Sequence, residues 1–140
     1  MGTVELFDHT ADVGLRIQAE SLSDLFQTAA EAMFDYIVVN RSDVRSVVVE
    51  SIELHAESPA DLLVDWLNEL IFRCETTHRL YGRFSVAIED EGRSLKAEIT
   101  GEAIDRERHI LDHEVKAVTR HAQTLTHEDA VWVAECILDI

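Results

Sequence analysis

Residues 12–37, DVGLRIQAESLSDLFQTAAEAMFDYI, change from one apolar period to another and so decide the fold. At first every second residue is apolar, which is the pattern of a half-buried strand. After Ser21 the apolar residues recur every three or four positions, as in a helix with one buried side. Asp24 follows Ser21 by three residues, which places an acid at the positive end of a capped helix. The apolar positions are Val13, Leu15 and Ile17 in the strand, then Leu22, Leu25, Phe26, Ala29, Ala30, Met33 and Ile37 in the helix.

A second amphipathic helix is predicted from SPAD, residues 58–61. Ser58 suits the N-cap, Pro59 the first helical position and Asp61 the first turn. The apolar side of this helix carries Leu62, Leu63, Trp66, Leu67, Leu70, Ile71 and Cys74, and the polar side carries Asp61, Asp65, Asn68 and Glu69.

The remaining regular segments alternate like strands. EDEGRS, residues 89–94, lies between two alternating runs and predicts a hairpin. Further strands are expected over residues 48–54, in EVKAVTRH and in AVWVAECILDI. We therefore expect a single domain over residues 1–140 of the α+β class. It would have two layers, with a mixed or mainly antiparallel sheet and two amphipathic helices packed on one face.

The composition limits the possible functions. The chain has 28 acidic and 12 basic residues and a formal charge of −16, which disfavours direct binding to nucleic acid. This charge fits a cation site, a basic protein partner or a soluble surface. The first residues do not resemble a signal peptide and no apolar run has the length of a membrane span, so we expect a cytoplasmic protein. Cys74 and Cys136 stand in apolar runs and are expected to be buried structural thiols.

The first candidate site is DHTAD, residues 8–12, directly before the first alternating strand. If the apolar residues of that strand face the core, Asp12 shares the opposite face with Gly14 and Arg16. Asp12 then either caps a backbone N–H or pairs with Arg16, or it is a ligand. Asp8 and His9 have two possible roles. They either form hydrogen bonds that support Asp12, or they cap the turn before the strand.

The second candidate is the end of the chain, where an apolar strand runs into Leu138-Asp139-Ile140. Asp139, the terminal carboxylate and nearby carbonyl groups would form a cluster of hard oxygens. If Asp12 lies beside Asp139, this oxygen-only set suits Ca²⁺ or Mg²⁺ better than zinc. The alternative is that Asp139 simply faces water.

The third candidate is the stretch of residues 105–127, which contains four of the seven histidines. A locally neutral, His-rich stretch on an acidic protein could receive a phosphate, a nucleotide or an acidic partner. A zinc site would need three or four converging ligands, which a strand does not favour. We expect mainly a solvated strand-and-loop surface. The histidines are His109, His113, His121 and His127.

Several separated motifs resemble the archease family in the same order along the chain. They are FDHTADVGLRI, SLSDLFQTAAEAMFDYI, LLVDWLNELIF, GEAIDRERHILDHEVKAVTRH and VWVAECILDI. The resemblance implies a non-catalytic accessory protein of the RtcB-type, GTP-dependent RNA ligase that acts in tRNA splicing and RNA repair. Such a protein would promote guanylylation and multiple turnover of the ligase.

The resemblance also implies particular residues. A divalent cation would be held by Asp12, Asp139 and an oxygen of the Ile140 main chain. Ca²⁺ is the expected cation, and Mg²⁺ or Mn²⁺ is an alternative. Lys116 and His9 would lie toward the partner or its nucleotide site. In one departure from the family pattern, Arg120 replaces the usual Tyr, which puts any aromatic role there in doubt. Two rival functions are a stand-alone metal-dependent phosphoesterase, using Asp12, Asp139 and the histidines, and a chaperone-like interaction module.

Overall fold

The computed structural model describes residues 2–9, 12–120 and 123–140, and it gives Asp8 and His9 by their backbone alone. Two long helices and eight strands are present in this part of the chain. In order they are β1 Thr3–His9, β2 Asp12–Ala19, α1 Leu22–Ile37, β3 Val48–His55, α2 Pro59–Thr77, β4 Arg79–Glu89, β5 Ser94–Ala103, β6 Ala117–Val118, β7 Thr124–Glu128 and β8 Val131–Asp139.

Both long helices begin where the sequence predicts. The hydroxyl of Ser21 accepts the N–H of Asp24 at 3.1 Å, and that of Ser58 accepts the N–H of Asp61 at 3.2 Å. Each bond satisfies one of the amide groups that the first helical turn leaves without a partner. Pro59 is the first residue of α2, as expected. No helix in the described ranges is both long and apolar enough to cross a membrane.

The strands form two sheets, and every strand pair in the described ranges is antiparallel. The first sheet has the order β1-β2-β8-β6, with β7 also paired to β8, and the second has the order β3-β5-β4. The α+β class and the antiparallel arrangement are confirmed, but the expected single sheet is divided in two. The chain leaves the first sheet through α1 and enters the second at β3, and alternation alone does not show to which sheet a strand belongs.

One apolar core joins both sheets to both helices. It contains Leu15 of β2, Leu25 of α1, Leu67 of α2, Ile99 of β5 and Leu138 of β8, all of them fully buried. The helix α1 packs against β2 of the first sheet and β4 of the second, so it does not cover one face of one sheet only. The helix α2 likewise contacts β6 of the first sheet and β4 of the second, so each helix packs against both sheets.

The strand expected over EVKAVTRH is much shorter in the structure. Only Ala117 and Val118 pair with β8, and the preceding residues follow an irregular path. On either side of these two residues, the N–H groups of Lys116 and Thr119 donate to the carbonyls of Asp139 and Ile137 in β8, at 2.8 and 3.0 Å. The strand prediction is therefore confirmed for the middle of this segment, whereas Glu114 and Val115 are not in a strand.

Candidate functional site

Four backbone positions from four strands are aligned across one end of the first sheet. His9 pairs with Asp12, Asp12 pairs with Asp139, and Asp139 pairs with Ala117. Neighbouring strands are about 4.8 Å apart, so the whole row spans about 14 Å. The three motifs that are far apart in the sequence, DHTAD, EVKAVT and the final Asp-Ile, therefore meet at one place.

The strand alternation shows which face carries the two acids. In β2, Leu15 and Ile17 are fully buried, so Asp12 belongs to the opposite, outer face. On this outer face Arg16 donates to Glu135 at 2.7 Å, across the same pair of strands. Arg16, a possible partner of Asp12 on sequence grounds, thus forms an ion pair with Glu135. We call Asp12 and Asp139 the tip pair.

Lys116 lies beside the tip pair. Its N–H donates to the carbonyl of Asp139 at 2.8 Å, and its side chain is exposed. The row thus brings a cationic side chain to the acidic end of the sheet. His9 is opposite Asp12 through its backbone, whereas Thr10 and Ala11 of the same motif lie outside the described residues.

The polar side of α2 holds the segment that carries Lys116. The amide of Asn68 donates to the carbonyl of Val118 at 3.1 Å and accepts the N–H of Val118 at 2.8 Å. One turn away, Asp65 forms an ion pair with Arg120. Sequence reasoning assigned Asn68 to the polar face but missed this contact, because periodicity does not show what a polar face meets. Arg120, the departure from the family pattern, has a structural partner here.

The donors at the tip pair suit a hard divalent cation. Directly opposed residues on one sheet face have Cβ atoms about 4.5–5.5 Å apart, and like charges in this arrangement destabilise the pair of strands. A cation between two carboxylates would remove that repulsion, and oxygen donors are the ligands of Ca²⁺ and Mg²⁺. Across residues 2–9, 12–120 and 123–140, no group of three or more His, Cys, Asp and Glu side chains is arranged so that it could hold a metal ion. The tip pair alone would supply only part of a coordination shell, and a cation there would need further oxygens from the main chain, water or a partner.

The described histidines of the third candidate stretch do not converge. His113 stacks on Tyr36 with ring centroids 4.1 Å apart, and His127 stacks on Trp132 at 4.2 Å. His109 is buried, contrary to the expected solvated surface. His121 lies outside the described residues. His109, His113 and His127 therefore have different partners and do not form one site.

Glu102, Arg108 and His109 form an ionic group that we call the buried cluster. Glu102 is 7% exposed and His109 is 3% exposed. The N–H of Asp105 donates to Nδ1 of His109 at 2.9 Å, so the ring proton is on Nε2, which donates to Glu102 at 3.0 Å. Arg108 also donates to the Glu102 carboxylate. Sequence reasoning missed Glu102, which stands as an acid among the apolar residues at the end of β5.

The hydrogen bonds to Glu102 stabilise its charged form. Burial alone would raise its pKa, but bonds from the N–H of Arg45 (2.7 Å), from His109 and from Arg108 outweigh burial and lower the pKa from 4.5 to about 2. This carboxylate is therefore ionised at neutral pH, and its oxygens accept hydrogen bonds from three groups of the protein.

The two thiols are poor nucleophiles. Burial raises the pKa of Cys136 to about 12, and burial together with the charge of Glu75 raises the pKa of Cys74 to about 11. Cys136 is buried and Cys74 is half-buried. Both are protonated at neutral pH, as a structural role requires.

Known proteins resemble this chain over almost its whole length. The model of the archease protein family matches residues 5–140. The chain belongs to the archease family. It is 38% identical to the protein archease of Methanopyrus kandleri, over 97% of this chain and 98% of that one. It is also 38% identical to the protein archease of Methanothermobacter thermautotrophicus, over 97% of both chains.

Two solved structures share the archease fold seen here. The solution structure of Methanobacterium thermoautotrophicum protein 1598 has a TM-score of 0.84 and 36% identity, and 98% of each chain is covered. The crystal structure of a Thermotoga maritima archease, described as a possible chaperone, has a TM-score of 0.66. Its identity is 19%, over 96% of this chain and 94% of that one, so it supports the fold alone.

Proposed function

We propose that this chain is an accessory protein that activates an RtcB-type, GTP-dependent RNA ligase in the cytoplasm. It would promote guanylylation and multiple turnover of the ligase in tRNA splicing and RNA repair, without catalysing a step itself. The observation that carries the proposal is the meeting of Asp12, Asp139 and Lys116 at one end of a sheet, in a chain that belongs to the archease family.

The proposal includes a divalent cation held by the tip pair and an oxygen of the Ile140 main chain. Ca²⁺ fits because it accepts six to eight oxygen ligands in flexible geometry, and Mg²⁺ or Mn²⁺ is an alternative. When bound, the cation would supply positive charge that can attract phosphate or carboxylate oxygens of a partner. A shell with two protein carboxylates leaves positions for such oxygens.

Lys116 is proposed to contact the ligase near its nucleotide site. Lys116 is exposed and its main chain bonds to Asp139 of the tip pair, so its ammonium group is available to donate to a phosphate or a carboxylate of the partner. The formal charge of −16 supports action on a basic protein surface rather than direct contact with RNA. The high pKa values of both thiols support a role other than thiol catalysis.

A guanylylation assay tests the proposal. Radiolabelled GTP, the cognate RtcB-type ligase and substoichiometric amounts of this protein would be combined, and covalent labelling of the ligase would be followed. We expect wild type to accelerate labelling and Asp12→Asn or Asp139→Asn to abolish the acceleration. Glu135→Gln is the matched control, because it removes a carboxylate from the same strand and the same face as Asp139. Full acceleration by both tip variants would contradict the proposal.

Two further measurements, phosphoester hydrolysis without ligase and protection of the ligase against unfolding, separate the two rival functions. A stand-alone phosphoesterase would hydrolyse phosphoester substrates with metal and no ligase, and it would lose this activity in Asp12→Asn. A chaperone-like module, the role suggested for the Thermotoga maritima archease, would protect an unfolding ligase even when both tip acids are replaced. The proposed activator does neither.

A further inference from the structure

β1 is an edge strand with an apolar side that the fold does not cover. It pairs with β2, and its other edge carries no strand among residues 2–9, 12–120 and 123–140. Val4 lies opposite Ile17 and Leu6 opposite Leu15, so both share the core face of the sheet. Ile17 and Leu15 are fully buried, whereas Val4 is 41% and Leu6 is 54% exposed. The core-facing side of the sheet therefore reaches solvent at β1.

A groove of about 510 Å³ lies between β1, α1 and residues 112–113, and we call it the β1 groove. Its apolar lining includes Val4, Leu6, Ala32 and the ring of Tyr36. His113 stacks on Tyr36 and holds this ring as one wall. The groove can accept one or two apolar side chains from a segment that runs along β1.

The rim of the β1 groove is acidic. Glu31, Asp35 and Asp112 contribute three carboxylates, against one guanidinium from Arg41. Arg41 donates to Asp35 at 2.7 Å and lies 4.0 Å from Glu31, so it offsets one of the three negative charges and the rim keeps a formal charge of −2. A basic segment would complement this rim, while RNA phosphates would be repelled. A second copy of the chain is disfavoured because each copy carries −16.

The strand β1 connects the β1 groove to the row that contains the tip pair. β1 ends at His9, which is opposite Asp12, and residues 112–113 precede Lys116 by three to four positions. The groove is on the core face and the tip pair on the outer face, so a segment added to β1 would pass two strand spacings, about 10 Å, from Asp12. An exposed strand edge with a neighbouring side-chain groove is the arrangement that binds an extended peptide as an added strand.

We propose that an extended segment of the partner ligase, with alternating apolar and basic residues, adds to the edge of β1 and inserts an apolar side chain into the β1 groove. This inference rests on the proposed function, since it takes the ligase as the partner. It assigns affinity to β1 and activation to the tip pair, so the two roles are separable by mutation.

The test compares Leu6→Arg with Val49→Arg, which introduces the same charge at a similarly exposed apolar residue, 63% exposed, in β3 of the other sheet. Affinity for the immobilised ligase and the rate of guanylylation would be measured for wild type, both variants and Asp139→Asn. We expect Leu6→Arg to weaken binding by about tenfold or more, as loss of a central apolar contact does. Val49→Arg should bind like wild type, and Asp139→Asn should bind but fail to activate.

The possible results separate the two proposals. If Leu6→Arg binds and activates like wild type while Asp139→Asn does not activate, the docking inference is overturned and the proposed function stands. If wild type neither binds nor activates the ligase, both are overturned. If sedimentation shows a wild-type dimer that Leu6→Arg dissociates, the groove is occupied by a second copy, and the docking inference is again overturned.

Discussion

The tip pair and the buried cluster are two acidic regions that the fold treats in opposite ways. In the buried cluster, Glu102 is nearly inaccessible and accepts hydrogen bonds from a main-chain N–H, an imidazole and a guanidinium. In the tip pair, Asp139 is exposed and is placed directly opposite another carboxylate. The first arrangement stabilises the fold, while the second opposes two like charges.

This difference separates structural from functional acids. A carboxylate whose hydrogen bonds are satisfied inside the protein contributes to stability and has little capacity left for a ligand. Two carboxylates placed directly opposite each other on an outer face repel each other, and a cation bound between them would remove this repulsion. Such local conflicts with stability are expected at functional sites. The contrast leads to four predictions about stability and one about binding.

The largest effect is expected in the buried cluster. Glu102→Ala removes the acceptor of Arg108 and His109 and leaves buried donors without a partner. We expect the free energy of unfolding to fall by about 3–5 kcal/mol, as for other broken buried ion pairs. Urea denaturation measures this loss. Glu98→Ala, an exposed acid in the same strand, is the control and should change stability by less than about 0.5 kcal/mol. An equal fall in the free energy of unfolding in both variants would contradict the structural role of Glu102.

The second prediction concerns pH. The pKa of Glu102 is lowered in the folded state, so its stabilising effect is complete above its ordinary pKa of 4.5 and is lost as the pH falls toward about 2. We expect the stability difference between wild type and Glu102→Gln to shrink over this interval. Denaturation curves at a series of pH values would show the change. A difference that stays constant down to pH 2 would contradict the assignment, whatever other carboxylates titrate.

A smaller effect of opposite sign is expected at the tip pair. In the presence of a chelator, Asp139→Asn relieves the repulsion with Asp12 and should raise the free energy of unfolding by up to about 1 kcal/mol. Glu135→Gln, on the same face, weakens the ion pair with Arg16 and should lower it by about 0.2–1 kcal/mol. Thermal unfolding in chelator measures both. A clear fall in the free energy of unfolding of Asp139→Asn would show that the Asp139 carboxylate stabilises the folded protein, contrary to this account.

The smallest effect is expected for Arg120→Tyr, which introduces the residue that the resemblance to the family implies at this position. The ion pair with Asp65 is partly exposed, and its loss should change the free energy of unfolding by less than about 0.5 kcal/mol. β6 is also held by the two bonds to Asn68, so calcium binding should be unchanged. A large loss of calcium affinity in Arg120→Tyr, measured by calorimetry, would show that Arg120 supports the tip pair directly.

Local patterns predicted much of this fold. Ser21 and Ser58 identified both helix starts, and EDEGRS identified the hairpin between β4 and β5. The division into two sheets was not predictable in the same way, because strand partners are set by contacts between distant residues. β6 was predicted in EVKAVTRH, but it is only two residues long, and its alternating pattern does not show where the pairing with β8 begins.

The candidate site was predictable only in part. The sequence indicated Asp12 and Asp139 separately, and their pairing depended on a register that only the structure supplies. The contacts of Glu102 and Asn68 were missed because apolar periodicity does not show them. A turn brings His109 back to Glu102, seven residues earlier, and a strand edge brings Val118 to Asn68, fifty residues earlier. His113 and His127 are exposed, as expected for a solvated surface, and each stacks on an aromatic ring. Binding of a phosphate, a nucleotide or an acidic partner by this stretch stays a prediction.

Calcium titration by calorimetry tests the central claim most directly. The account predicts one Ca²⁺ site per chain in wild type and in Glu135→Gln, and no measurable site in Asp12→Asn or Asp139→Asn. Binding with wild-type stoichiometry and affinity in both tip variants would contradict the claim that these two carboxylates hold the cation.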